Sequence, residues 1–270
     1  MIATERRRQI LKRVNERQAI ETQDLALELG VSAMTIRRDI KLLEQEGFIR
    51  QTYGGASVQV ARSIELSFNS RVLEHAEQKR RIGAFAAGLI GSGQTLFLGP
   101  GTTTAHVAQL LPAHPHLTVV TASLSHASLL RSRNIRVVVI GGILVADELY
   151  MTGSLARGAV EKFYADVCLM GVSGIDLEIG LTEMDLELAA LHQTMMTRSA
   201  QTVVLADHSK FGYRAPAVVA PMSKVDLLIT DQLPQAQLEA YRAAGVQLRV
   251  LEDPATQGET ASQRVLVGYS

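Results

Sequence analysis

Residues 31–56, VSAMTIRRDIKLLEQEGFIRQTYGGA, decide the fold of the first part of this 270-residue chain. Gly30 ends a preceding helix for which Thr22 is a suitable N-cap, and Ser32 is suited to cap the next helix. That second helix is predicted to run to about residue 46, with Gly47 as its C-terminal signal. Two helices joined by a tight turn that contains glycine predict a helix-turn-helix.

The helix that follows Ser32 has two chemically different faces. At about 100° per residue, Ile36, Ile40 and Leu43 fall on one side and predict the buried stripe. The opposite side carries Met34, Arg37, Arg38 and Lys41, with Thr35 at its flank. Arginine can bridge guanine O6 and N7 or clamp a phosphate, Thr and Met can touch a thymine methyl, and Ser32 can reach a phosphate. The pattern therefore predicts a helix that enters the major groove of DNA.

A β-hairpin is predicted directly after this helix. Short runs of β-formers flank Gly54-Gly55, a pair that suits a primed turn because such a turn needs positive φ. A hairpin in this place is a wing, from which Arg50, Gln51 and Tyr53 can reach phosphates or the minor groove. The alternative is a solvated surface, since residues 1–55 hold only ten Lys/Arg against eight Asp/Glu. The order of capped turn, outward basic face and wing favours DNA binding.

The residues LGVSAMTIRRDIKLLEQEGFIRQTYGGA (29–56) closely resemble the DeoR-type bacterial transcriptional regulators. The winged helix-turn-helix of that family carries a very similar Ser-x-x-Thr-Ile-Arg-Arg-Asp helix and a Gly-Gly-Ala ending, and it reads operator DNA. The resemblance implies DNA-contacting roles for Ser32, Thr35, Arg37, Arg38 and Lys41. On the helical wheel Asp39 turns back toward the buried side, so we expect it to brace the helix.

Length and composition suit a globular protein of two domains, with 47% hydrophobic and 20% charged residues. The predicted organisation is a winged helix-turn-helix over 1–58, a linker over 59–77, an α/β domain over 78–253 and a tail over 254–270. The formal net charge is zero, so any basic surface must be local. No apolar run approaches the roughly 20 residues of a membrane span. Because the N-terminus is charged and the single Cys168 reads as a core residue, we expect a cytoplasmic protein.

The rest of the chain alternates short apolar runs with helical segments. The runs are TLFLG, LTVVTAS, IRVVVIGG, DVCLMGV, TVVLAD and VDLLITD, all between residues 95 and 231. Continuous apolar strands are typical of a sheet that is covered on both faces. The alternation predicts an α/β fold with a mostly parallel sheet, and such sheets bind ligands at the carboxyl ends of their strands.

Glycines and polar side chains follow four of these strands. TLFLG leads through Gly101 into Thr102, Thr103 and Thr104, where glycine lets the backbone approach an anion and a helix N-terminus favours negative charge. The other candidates for ligand binding are Ser123, Gly171, Ser173, Asp207 and Lys210. Structural alternatives remain, a simple N-cap at 101–104 and a solvated lysine at 210. The shared position at strand ends favours one binding site.

The resemblance to DeoR-type regulators extends over roughly residues 3–250, through the loops GTTT, GVSGID and ADHSKFG. It implies an effector-sensing domain related in fold to ribose-5-phosphate isomerase. It also implies a phosphorylated small molecule, commonly a sugar phosphate, held by Gly101–Thr104 and Lys210. The sequence departs from the family pattern in three places: Gly99-Pro100 replaces Asp-Ala, Ala122 replaces an asparagine, and His192 stands where a lysine is expected. Because groups that generally hold sugar hydroxyls are absent, the identity of the effector does not carry over.

The alternative class is a sugar-phosphate isomerase fused to a DNA-binding arm. Isomerisation needs a carboxylate base and a stabiliser for the enediolate. Residues 170–173 read Met-Gly-Val-Ser, without the acids of the related isomerases, and no glycine loop follows LTEMD. A binding scaffold without a DNA function is a third class. The seven histidines form no compact ligand pattern, so neither a metal site nor a cofactor is predicted. We expect a repressor of a sugar or related carbon-metabolism operon that binds double-stranded operator DNA as a homo-oligomer.

Overall fold

A computed structural model describes residues 3–17, 19–45, 49–52, 54–58, 68–131 and 133–251 of the chain. The internal contacts divide the chain into two compact units, Met1–Glu74 and His75–Ser270. The predicted tail, 254–270, lies outside the described residues. In the described part of the chain no helix is long and apolar enough to cross a membrane.

The described residues of the first unit form a winged helix-turn-helix and one further helix. Its helices are α1 (Ala3–Arg17), α2 (Thr22–Leu29), α3 (Ala33–Gln45) and α4 (Phe68–Leu73), and its strands are β1 (Ala19–Glu21), β2 (Ile49–Thr52) and β3 (Gly55–Val58). The strands form an antiparallel sheet in the order β1-β3-β2. The core of the unit includes Ile36, Ile40 and Leu43, as the helical wheel predicts. Helix α4 lies within the range 59–77, for which the sequence predicts a linker.

The residues that end α2 and cap α3 are the predicted ones, but the residue predicted to cap α2 is not its cap. Gly30 is left-handed, with φ 63°, and the Ser32 hydroxyl accepts a hydrogen bond from the Thr35 amide at 3.3 Å as the cap of α3. The prediction of Thr22 as the N-cap of α2 is wrong, because Thr22 is already the first residue of that helix. Its amide donates to the carbonyl of Gly54 at 2.8 Å, so the start of α2 is fixed to the wing.

The hairpin of β2 and β3 is the predicted wing, but its two glycines serve different purposes. Gly54 has φ 95°, which favours glycine, whereas Gly55 does not have a positive φ. At Gly55 a β-carbon would stand 2.2 Å from the carbonyl oxygen of Ile20 in β1. Strand β1, which the sequence pattern does not predict, therefore lies against β3 where only glycine fits. In addition, Glu44 of α3 accepts a hydrogen bond from the Gln51 amide at 2.8 Å, which fastens β2 to α3.

The second unit is an α/β fold built on a parallel sheet. Its strands are β4 (Thr95–Leu98), β5 (Thr118–Thr121), β6 (Arg136–Val139), β7 (Ile143–Val145), β8 (Tyr150–Thr152), β9 (Ala165–Met170), β10 (Gly174–Asp176), β11 (Gly180–Glu183), β12 (Ser199–Leu205), β13 (Ala217–Ala220), β14 (Leu227–Thr230) and β15 (Leu248–Val250). Its helices are α5 (Ala76–Ala87), α6 (Thr102–Leu110), α7 (Leu124–Leu130), α8 (Ser154–Val160), α9 (Leu186–Thr197) and α10 (Gln235–Ala243). The parallel sheet has seven strands in the order β15-β14-β12-β9-β4-β5-β6, and each predicted apolar run contains one of them.

The order of the strands creates a switch point between β4 and β9. The chain proceeds from β4 to β5 and β6 on one side, and from β9 to β12, β14 and β15 on the other. Neighbouring strands whose connections run in opposite directions leave a crevice at their carboxyl ends, where open α/β sheets bind ligands. The sequence pattern does not predict the small antiparallel sheets, β7-β8 and β10-β11-β13.

Candidate functional site

The first candidate site is the outward face of α3. Met34 is 71% exposed, and Arg37, Arg38 and Lys41 are exposed as well. The core residues of α3 lie on its other side. The structure thus brings the four side chains that the wheel assigns to DNA onto one accessible surface, which we call the α3 face.

The basic residues of the α3 face differ from the arginines of α1 in their partners. Arg6 lies 2.6 Å from Asp39, which is buried and braces α3 against α1 as expected. Arg13 and Arg17 lie 2.7 and 2.6 Å from Glu28, and their hydrogen bonds hold the pKa of that carboxyl below its usual value. The three basic side chains of the α3 face, by contrast, form no ion pair with any residue that the structure describes.

The remaining predicted DNA contacts lie at the start of α3 and in the wing. Ser32 is exposed, and its hydroxyl lies 2.9 Å from Thr35 Oγ1, so the two side chains hold each other at the N-terminus of the helix. Arg50 lies in β2, but its side chain is not among the described atoms, and Tyr53 lies wholly outside the described residues.

The second candidate site is the carboxyl edge of the parallel sheet. The strands β5, β4, β9 and β12 are neighbours, so the segments that follow them meet along one edge, on both sides of the crevice. The residues predicted to bind an effector all lie there: Ser123 after β5, Gly101–Thr104 after β4, Gly171 and Ser173 after β9, and Asp207 and Lys210 after β12.

The segment after β4 is organised around the carbonyl of Gly101. This oxygen lies 3.0 Å from the hydroxyl of Thr104, which donates to it, and 3.2 Å from Nε2 of His126. Since a carbonyl only accepts, His126 carries its proton on Nε2. Burial lowers the pKa of His126 to about 4, so the ring is neutral near pH 7. Thr104 and His126 therefore fix the loop from inside, and Gly101 has φ 141°, which favours glycine.

Three further hydroxyl groups predicted for this site, those of Ser123, Thr102 and Thr103, are nearly buried. Ser123 caps α7 by accepting a hydrogen bond from the His126 amide at 3.3 Å, and its hydroxyl lies 2.8 Å from that of Ser125. Thr102 and Thr103 are only 6% and 7% exposed. Gly101 is more accessible than these side chains, so backbone groups of this loop are the ones that an anion meets first.

The segment after β12 contains a buried acid and a lysine partner that the sequence pattern does not reveal. Asp207 Oδ1 accepts a hydrogen bond from the Ser209 amide at 3.0 Å, and Oδ2 lies 4.0 Å from Nζ of Lys79 in α5. Burial raises the pKa of Asp207, but the hydrogen bond from Ser209 and the charges of Lys210 and Lys79 outweigh burial, so the pKa lies below its usual value. Lys79 is 2% exposed, and lysine is rarely so buried unless it is paired.

A second buried pair lies at the carboxyl ends of β4 and β9. Glu183 accepts a hydrogen bond from the Ser173 hydroxyl at 2.5 Å, and its other oxygen lies 3.3 Å from Nδ1 of His192. A β-carbon on Gly99 would stand 3.1 Å from Nε2 of His192. Two of the positions that depart from the family pattern, Gly99 and His192, are therefore close together, and the absence of a side chain at Gly99 leaves room for the ring of His192.

Several buried polar atoms near this edge of the sheet lack a hydrogen bond to any described residue. His126 Nδ1, both ring nitrogens of His192 and Asp207 Oδ2 are buried without a hydrogen-bond partner in the described part of the chain. Such atoms are uncommon in folded proteins unless water or a ligand satisfies them. A cavity of about 510 Å³ lies elsewhere, at residues 115–118, 134 and 136, where β5 and β6 begin. No three His, Cys, Asp or Glu side chains of the described residues are grouped so that they could hold a metal ion.

Both units match family models. A DeoR-like helix-turn-helix domain matches residues 6–61, and a DeoR C terminal sensor domain matches residues 74–232. The HTH-type transcriptional regulator GolR of Listeria innocua is 31% identical over 254 residues, which are 93% of this chain and 100% of GolR. The glycerol-3-phosphate regulon repressor of Escherichia coli is 31% identical over 235 residues, which are 87% of this chain and 93% of that protein.

The solved structures similar to the chain include ribose 5-phosphate isomerase A of Methanocaldococcus jannaschii. It is 16% identical, with a TM-score of 0.39, and covers 51% of this chain and 55% of the isomerase. A similarity this low does not show a shared function. The full-length relatives, in contrast, are named as regulators. The chain belongs to the DeoR family and is a DNA-binding transcriptional regulator, not an enzyme.

Proposed function

We propose that the chain is a repressor that binds operator DNA with α3 in the major groove and the wing beside it. The observation that carries the proposal is the α3 face, whose three basic side chains are exposed and lack ion-pair partners among the described residues. Unpaired cations near a helix N-terminus suit phosphates and guanine edges. The proposed contacts are Ser32, Met34, Thr35, Arg37, Arg38 and Lys41 from the turn and α3, and Arg50 and Tyr53 from the wing.

The test is the affinity for a DNA fragment from upstream of the protein's own gene, measured by fluorescence anisotropy at one stated salt concentration. The double variant Arg37→Ala/Arg38→Ala is expected to bind at least roughly 30-fold more weakly, since each good base contact contributes about 1–3 kcal/mol. Arg13→Ala/Arg17→Ala is the matched control, because it removes the same charge from side chains that already pair with Glu28. If the two double variants bound the DNA equally well, the assignment of α3 to the DNA-binding interface would be wrong.

We further propose that the carboxyl edge of the sheet in the second unit binds a phosphorylated small molecule, with a sugar phosphate as the first candidate. Gly101–Thr104 and the N-terminus of α6 would hold the phosphate with Lys210, and Ser123, Gly171, Ser173 and Asp207 would contact the rest of the effector. The unpartnered buried atoms and the switch point support this position. The name of the E. coli glycerol-3-phosphate regulon repressor supports the ligand class.

Thermal unfolding tests the effector class. Glycerol 3-phosphate, glucose 6-phosphate and fructose 6-phosphate are compared with inorganic phosphate and the unphosphorylated sugars. A true effector at 100 times its Kd stabilises by about 2.7 kcal/mol, which corresponds to a rise in Tm of roughly 5–10 °C. Lys210→Ala should abolish the rise. A rise with unphosphorylated sugars alone would contradict the proposal.

We also propose that the protein acts as a cytoplasmic homo-oligomer. One winged helix-turn-helix covers a short stretch of DNA, and symmetric dimers read two half-sites about one helical turn apart. Light scattering on the purified protein is expected to give a mass at least twice the 29.3 kDa of the chain. A monomer that binds a single half-site with the full operator affinity would contradict this.

A further inference from the structure

Helix α5 is the first helix of the second unit. It contacts both the segment that follows β12 and helix α6, which begins at the proposed phosphate site. His75 is the first residue of the unit and directly precedes α5. Its ring makes an edge-on contact with that of His208, with centroids 4.7 Å apart and planes at 74°, a geometry that aromatic rings prefer. His208 follows Asp207 in the segment after β12. The amide and Nδ1 of His208 each lie 2.8 Å from an oxygen of Asp231, so its ring is held in place.

The ion pair of Lys79 and Asp207 is the second contact between α5 and this segment. Both side chains are almost fully buried, and their charged atoms lie 4.0 Å apart. The Lys79 amide donates to the carbonyl of His75 at 2.9 Å, so the two contact residues belong to one helical turn. A change in the position of residues 207–208 therefore acts on the first turn of α5 at two points.

The rest of α5 packs into the core and against α6. Ile82 and Ala86 belong to the core beneath the sheet. Gly83 lies so close to α6 that a β-carbon there would stand 2.5 Å from the β-carbon of His106. Because α6 begins at Thr102, α5 also contacts the helix whose N-terminus is the proposed phosphate site. The contacts of α5 with residues 207–208 therefore lie in its first turn, and its later turns contact the core and α6.

The backbone of His75 makes this turn sensitive to its surroundings. His75 has φ 50° and ψ 35°, a left-handed conformation that is uncommon for residues other than glycine. Such conformations persist where neighbouring groups enforce them. The contact with His208 is one that can enforce it, and its loss would let His75 change the direction in which the chain enters α5.

We propose that His75 and Lys79 transmit the state of the effector site to the chain that leads from the DNA-binding unit. The inference rests on the proposed function, since it needs an effector that displaces residues 207–210. Such an effector controls the protein only if it binds one arrangement of this segment better than the other. His75 and Lys79 are positioning residues in this scheme, and they need not touch the effector.

The first test needs no effector and uses amide hydrogen exchange on the full chain. His75→Asn removes the imidazole but tolerates the left-handed backbone, and His75 is exposed, so the core is undisturbed. Exchange within residues 76–82 should become roughly two- to tenfold faster, the range expected for the loss of an aromatic contact. His116→Asn is the matched control, because His116 is another exposed histidine with positive φ, 60°, at the opposite edge of the sheet. Equal exchange rates of residues 76–82 in the His75→Asn and His116→Asn variants would overturn the proposal.

The second test measures affinity for the DNA upstream of the protein's own gene. The variant His75→Asn should change the affinity at least about threefold, and His208→Asn should change it in the same direction. The double variant should match His208→Asn, because two residues that act through one contact are not additive. Unchanged or fully multiplicative affinities would overturn the connection. If the wild-type chain does not bind this DNA, the proposed function fails, while the exchange experiment still decides whether the effector segment and α5 are coupled.

Discussion

Replacing Gly55 by alanine is predicted to separate β1 from the wing. The new β-carbon would stand 2.2 Å from the carbonyl oxygen of Ile20, a distance that β-carbons essentially never show. Because the obstacle is backbone, no side-chain rotation relieves the contact, and β1 must move away from β3. The movement disrupts the pairing of Ala19–Glu21 with β3 and strains the hydrogen bond from the Thr22 amide to the Gly54 carbonyl.

The magnitude follows from these two effects. Overpacking costs about 1–3 kcal/mol, and each lost backbone hydrogen bond adds about 1 kcal/mol, so we expect about 3 kcal/mol less free energy of unfolding. In a unit of this size 1 kcal/mol changes Tm by about 4–8 °C, so the Tm of the first unit should fall by roughly 12–24 °C.

The assay follows amide exchange in peptides of the first unit while the temperature is raised, so that the second unit does not obscure the result. Gly54→Ala is the matched control. Apart from its chain neighbours, no described residue has an atom within 4 Å of a β-carbon at this position. The variant therefore bears only the backbone strain of φ 95°, about 1–2 kcal/mol. A Gly55→Ala variant that unfolds at the wild-type temperature would refute the reasoning. A Gly54→Ala variant that is the less stable of the two would show that the turn, and not the contact with β1, requires the glycines.

Three further predictions concern charge, pH and reactivity. Asp39→Asn removes the charge that faces Arg6 at 2.6 Å, and urea unfolding should show a loss of about 3 kcal/mol. Glu28→Gln, whose partners are more exposed, should lose much less, and equal losses would contradict a buried pair at Asp39. Because burial places the pKa of His126 at about 4 and unfolding returns it to about 6.5, the unfolded state binds more protons between these values. The free energy of unfolding should therefore fall by up to about 3 kcal/mol as the pH is lowered from about 6.5 to about 4. The variant His126→Gln should lack this part of the decline. Parallel curves of unfolding free energy against pH for the wild type and the variant would contradict the prediction. Burial raises the pKa of the Cys168 thiol to about 12, so a thiol reagent at pH 8 should label the chain only after unfolding, and rapid labelling of the native protein would disprove the enclosure.

Sequence patterns predict those parts of the fold in which the polarity of each residue shows whether that residue is buried or exposed. Ile36 and Ile40 alternate with polar residues at helical spacing, and they lie in the core as expected. Runs such as DVCLMGV carry apolar residues on both faces, and this run forms β9 near the centre of the parallel sheet. Once the strands are parallel, their carboxyl ends share one edge, so the meeting of the candidate effector residues also follows from the sequence.

The features that the sequence pattern missed depend on contacts between distant residues. Strand β1 has only three residues, too few for an alternating pattern, and its partner β3 lies beyond two helices. Lys79 reads as one of several polar residues of α5, because its partner Asp207 lies in a remote part of the sequence. The hydroxyl of Thr104 reads as a ligand-binding group until its bond to the Gly101 carbonyl is known. The roles of the individual site residues stay predictions.

The central claim, that the α3 face contacts base edges of DNA, is tested most directly by photo-crosslinking. Met34 is replaced by the photoreactive residue benzoyl-phenylalanine, and the same residue at Val218, which is 51% exposed in the second unit, is the control. On DNA from upstream of the protein's own gene, position 34 is predicted to form cross-links to bases within the sequence that the protein protects, and position 218 is predicted to form none. Cross-links from position 218 without any from position 34 would contradict the account.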